Sequence, residues 1–115
     1  MSLPPFRHSM VKIAVGNYIE SKRPPERVRD IIDLSYQIDE SDVVIHDIRP
    51  HDNDPNKKVK KFRAKASFDP HSQSWRVYWM DASGEWQNYQ ECKSVSNIAE
   101  FIDLLKADSL GLFWG

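Results

Sequence analysis

The run Val59-Lys60-Lys61-Phe62-Arg63-Ala64-Lys65-Ala66-Ser67-Phe68, and after it Ser74-Trp75-Arg76-Val77-Tyr78-Trp79, sets the architecture of this chain. Phe62, Ala64, Ala66 and Phe68 alternate with Lys61, Arg63, Lys65 and Ser67. That period of two belongs to a strand with one dry face and one wet face. Asp69 to Gln73 supplies the turn: Pro70 fixes φ and the Asp69 carboxylate can bond the backbone beyond it. Trp75, Val77 and Trp79 then form the core row of the next strand. Asp81-Ala82-Ser83-Gly84 makes a second turn, with Gly84 suited to a left-handed backbone, and a third short strand carries Trp86. The stretch predicts an antiparallel meander with strands over 59–68, 74–80 and 85–90.

Upstream, Ile32, Leu34, Tyr36 and Ile38 alternate with Asp33, Ser35 and Gln37, which predicts a strand over 31–38. Asp39-Glu40-Ser41 turns the chain into a strand over 42–49, where Val44 and Ile48 compete with Val43 and Ile45 for the inner face, and Pro50 ends it. His51 to Lys58 holds no apolar residue and reads as an exposed loop. Near the N-terminus, Pro4 and Pro5 suit a helix start, and Phe6, Met10, Ile13, Ala14 and Tyr18 form one stripe of a helix over 6–21. Arg23-Pro24-Pro25 stops that helix, since a residue before proline is pushed out of the α region, and Glu26 to Asp30 can make one further turn. Downstream, Ser94 or Ser96 can cap a helix over 95–107 whose apolar positions are Ile98, Phe101, Ile102 and Leu105. The tail over 110–115 is apolar enough to tuck against the sheet or a partner chain.

The expected architecture is therefore α+β: one domain over 1–115, a five-stranded antiparallel sheet, and two terminal helices packed on one face. Phe62, Trp75, Val77, Trp79, Ile98 and Phe101 are expected to share the core. The opposite face would collect Asp33, Ser35, Gln37, Lys61, Arg63, Lys65, Arg76, Tyr78, Gln87 and Tyr89.

A formal net charge of -1 and a pI near 6.4 argue against a global field that attracts nucleic acid or anionic membrane, and leave only local patches to do so. One cysteine, Cys92, rules out an intramolecular disulfide, and no apolar run approaches the roughly 20 residues of a membrane span. The N-terminus lacks the long apolar region of a signal peptide. These features predict a soluble, cytoplasmic protein.

Several of these residues together carry a resemblance: Arg23-Pro24-Pro25, Ile48-Arg49-Pro50, Lys61-Phe62-Arg63, Trp75-Arg76-Val77-Tyr78-Trp79, Trp86 with Tyr89, and Phe113-Trp114-Gly115. Over nearly its whole length the chain resembles a bacterial family of domains of unknown function, number 3024 in that series. The resemblance implies a small stand-alone bacterial protein and brings no activity, cofactor or catalytic residue with it. Where members often carry an acid or a tryptophan after the arginine-proline pair, this chain has His51-Asp52-Asn53-Asp54.

Among the residues that bear chemistry, the basic run through Lys61, Arg63 and Lys65, beside Arg76, Tyr78 and Tyr89, mixes cations with aromatic rings as a single-strand binder does. Its bland counterpart is a solvated strand face whose lysines block edge association. Arg49 could clamp a carboxylate or phosphate, or pair with Asp33 or Asp47. Asp52 to Asn56 imitates half a calcium loop, but Lys57 and Arg63 stand where its glycine and bidentate glutamate belong, so no metal site is expected. Cys92 with His46 or His71 has no third group to orient a base, and no catalytic residue or cofactor is assigned. Two readings follow. One is a non-enzymatic binding module whose outer face takes nucleic acid or an acidic protein; the other is a homodimer formed through the sheet face and the tail.

Overall fold

A computed structural model describes residues 3–115. Helix α1 spans Pro5–Lys22, and after a single 3-10 turn the strands follow as β1 (Asp33–Asp39), β2 (Asp42–Pro50), β3 (Lys58–Asp69), β4 (Ser74–Met80) and β5 (Trp86–Asn88). A two-residue strand β6 (Ser94–Val95) precedes helix α2 (Ile98–Ala107). β1 to β5 lie in meander order, every pair antiparallel, while β6 adds to β4 beside Trp75 and Arg76. This is the expected α+β architecture.

Residues paired across the ladder share a face, which sorts the sheet. Leu34, Ile45, Val43, Ala64, Ala66, Trp75 and Val77 point inward with residues of α1, α2 and the tail in one core. β2 is flanked by β1 and β3 and its register resolves in favour of Val43 and Ile45, yet Val44 and His46 on the opposite side are also buried. Trp75, Val77, Ile98 and Phe101 are core as expected, and Trp79 is only partly buried against them.

The main departure is a β-bulge. Ile45 pairs with Ala64 but His46 pairs with Phe62, so Arg63 is the extra residue of β3. An extra residue breaks the alternation and reverses the faces beyond it. Phe62, expected in the core, therefore lies on the outer face, and Lys61, expected outside, falls on the inner side opposite Asp47.

Other departures are local. β1 begins two residues later than expected, because Ile31 and Ile32 donate to the Val28 carbonyl in the preceding turn. α2 starts at Ile98: the Asn97 side chain accepts from the Glu100 amide at 3.0 Å, and the serines before it are left to β6 and the loop. In α1 the buried residues are Val11, Val15, Tyr18 and Ile19, whereas Phe6, Met10 and Ile13 of the expected stripe are exposed. The tail packs on its own chain: Phe113 is fully buried with its ring 4.7 Å from that of Tyr89, and the Trp114 indole donates to the Leu105 carbonyl at 3.1 Å. Asp108, with φ at 38°, ends α2 and accepts from the amides of Phe113 and Trp114, which turns the tail back onto the core.

Candidate binding surfaces

The uncovered sheet face is built on two adjacent rows. Gln37, Val44, Lys65, Tyr78 and Asn88 are aligned across β1 to β5, and Ser35, His46 and Phe62 form the neighbouring row. The Lys65 ammonium lies 4.7 Å from the Tyr78 ring centroid and 4.9 Å from that of Trp86, so one cation bridges two half-buried aromatic faces. Trp86 pairs with Met80 on the same side and tilts against Phe62 with centroids 6.1 Å apart. Phe62 in turn meets His46 edge-on at 6.1 Å. Lys60 donates to Gln37 at 2.8 Å, and Arg76 sits 3.7 Å from Asp69 at the far end.

His46 is the odd member of this face. It is 2 % exposed and its Nδ1 finds no hydrogen-bond partner among the described residues. Burial, aided by the charge of Lys60, holds the imidazole below its ordinary titration range and keeps it neutral.

The bulge creates a second arrangement at the end of the inner side. Asp47, nearly buried, accepts at one oxygen, Oδ2, from both Arg63 (2.9 and 2.6 Å) and Arg49 (3.3 and 3.0 Å). Two guanidinium groups on one carboxylate leave a net positive charge. Lys61 stands opposite Asp47 in the ladder, exposed, with no ion-pair partner among the described residues. Beside them an open cleft of about 590 Å³ runs between β3, the Asp81–Gly84 turn and the tail.

Of the sequence-predicted residues, Lys65, Arg76 and Tyr78 thus share the outer face. Lys61, Arg63 and Arg49 do not: they gather around Asp47 on the other side. Tyr89, expected on the outer face, is 1 % exposed and belongs to the core because the chain turns inward after the short β5. Its hydroxyl donates to Glu91 at 3.1 Å. Phe62 and His46 were missed as members of the aromatic face, since only pairing across β2 and β3 reveals the extra residue. Trp86 was legible in principle: closing the Asp81–Gly84 turn places it opposite Met80, on the side of Tyr78. In the loop over 51–57, His51 Nδ1 accepts from Asn53 and Asp54 accepts from Asn56, so both side chains serve the local turns. The Cys92 thiol donates to the Ser94 carbonyl at 3.3 Å and packs against the core.

A family model matches residues 3–115 and carries the description Domain of unknown function (DUF3024). The chain belongs to this family. No curated protein and no solved structure gives a significant match. Among the described residues, no helix is long and apolar enough to cross a membrane.

Proposed function

We propose that this protein is a non-enzymatic binding module whose uncovered sheet face takes single-stranded nucleic acid in a bacterial cytoplasm. The observation that carries the reading is Lys65 set between Tyr78 and Trp86, with Phe62 against Trp86. Aromatic rings on an open sheet give bases a surface to stack on, and the cations around them meet phosphates. Lys60 extends the positive charge along the strands; at the far end Arg76, an exposed side chain, sits 3.7 Å from Asp69, and Asp42 accepts from the Ser67 hydroxyl at 2.6 Å. The cytoplasmic setting is supported by a lone thiol that caps a carbonyl of its own chain.

The test is a titration with mixed-sequence single-stranded oligonucleotides at low salt, read by tryptophan fluorescence. Binding should weaken with salt by roughly 0.7 log units per tenfold change for each phosphate neutralised. Trp86→Ala and Lys65→Gln should each weaken it, and an absence of binding by the wild-type chain would refute the reading.

A second reading, homodimerisation, is favoured by α1, which leaves Phe6, Met10 and Ile13 78 %, 53 % and 65 % exposed at spacings of one and two turns. In the tail Phe113 is spent in its own core, which leaves Leu110, 55 % exposed, as the tail residue open to a partner. A concentration-dependent mass that persists in high salt would support this reading, because apolar association lacks the steep salt dependence of phosphate binding.

A further inference from the structure

The cleft borders the aromatic face, sharing Lys60, Phe62 and Met80 with it, but its anion-binding groups, Lys61 and Arg63, belong to the Asp47 cluster and give it a chemistry of its own. One wall is cationic, with Lys61 and Arg63; the opposite wall is apolar, with Leu112 and Phe113 of the tail and Met80 of β4. Arg63 spends Nε and Nη2 on Asp47 and keeps Nη1 without a partner among the described residues. Its side chain is only 15 % exposed and is held by the two bonds to Asp47, so its direction is fixed before any ligand arrives. Asp47 neutralises one of the two arginines it holds, and Lys61 adds a further charge. The acid on the rim, Asp81, is turned onto its own loop, where it accepts from the amides of Ser83 and Glu85, the Ser83 hydroxyl and the Gln87 side chain. A mostly buried cation held rigidly beside an exposed lysine favours an oxyanion, because charge-assisted bonds to a preset guanidinium require little reordering. The facing apolar wall favours an anion with a flat, apolar body over a bare inorganic ion.

We propose that this cleft binds a small organic oxyanion, its phosphate or carboxylate on Arg63 and Lys61 and its apolar body against Leu112 and Met80.

Phenyl phosphate and benzoate are the probes, each titrated into the full chain and followed by amide NMR shifts, with inorganic phosphate as a third arm. At least one organic probe should saturate and shift the amides of Gly84, Arg63 and Leu112, more tightly than inorganic phosphate does, and the stronger of the two identifies the headgroup. Lys61→Gln should weaken it about tenfold, the effect of losing one charge-assisted bond. Arg63 variants risk the fold by stranding Asp47, so Ala82→Glu is the second variant. Ala82 is an exposed turn residue on the cleft, and a carboxylate there should abolish binding while leaving the melting curve unchanged. Lys65→Gln, on the other face, should change nothing. Failure of both organic probes to bind, binding no tighter than that of inorganic phosphate, or indifference to Lys61→Gln and Ala82→Glu would overturn the proposal. Lys65, Tyr78 and Trp86 do not line the cleft, so oligonucleotide binding by the outer face is tested separately through Lys65→Gln and Trp86→Ala.

Discussion

Replacing Asp47 by asparagine tests whether the bulge depends on the charges it brings together. The carboxylate side chain is 10 % exposed and meets Arg63 at 2.6 Å, itself 15 % exposed, while Arg49 on the same oxygen is 40 % exposed. At an effective dielectric near 20, a unit pair at roughly 4 Å gains about 4 kcal/mol before desolvation is subtracted. Arg49 is exposed enough that solvent screening reduces its share to about 0–1 kcal/mol. Removing one partner of a buried pair costs about 3–5 kcal/mol, because the other charge is left uncompensated. The side-chain amide would still offer an acceptor oxygen, so Asp47→Asn should lose somewhat less, about 2–4 kcal/mol. The assay is urea denaturation of the wild-type chain, Asp47→Asn, Arg63→Met and the double variant. The double variant should lose much less than the sum of the singles, giving a coupling of about 1–3 kcal/mol. A wild-type midpoint for Asp47→Asn, or strict additivity in the cycle, would refute the reasoning.

Three further outcomes are expected. Phe113→Ala should destabilise by about 3–5 kcal/mol, as a large aromatic truncation in a core, because Phe113 is 1 % exposed; an unchanged melting temperature would show that the tail is not part of the core. Trp75→Ala should cost more than Trp79→Ala, since Trp75 is 1 % exposed and Trp79 only partly buried, and equal midpoints would contradict this ordering. Stability should fall in two stages on acidification. The first begins as pH drops through the ordinary histidine value of 6.5, where the unfolded chain takes a proton that buried His46 resists, and His46→Gln should remove that stage. The second comes as pH falls from the carboxylate value of 3.8 toward the depressed titration of Asp33, which the Arg23 guanidinium holds ionised through bonds of 3.0 and 2.8 Å. Stability measured between pH 3 and 8 that showed no loss in the upper stage would refute the role of His46.

The kind and order of the elements could be read from the chain before any contact was known. Alternation in β1, β3 and β4, the prolines after Arg23 and the period of Ile98, Phe101, Ile102 and Leu105 are local signals, carried by neighbours in the chain. They also placed Lys65, Arg76 and Tyr78 on one face, because those residues lie on the regular side of the bulge. The rest depends on contacts between distant segments. Whether β3 takes an extra residue is set by its pairing with β2, and that single residue moved Phe62 outward and sent Lys61 and Arg63 to Asp47. In α1 two apolar stripes were available, and packing buried the one holding Val11 and Val15 while leaving Phe6, Met10 and Ile13 in solvent. The tail was legible as apolar but not as core. Its destination follows from the left-handed turn at Asp108 and from the space beside Tyr89, which exist only once the sheet and α2 have come together.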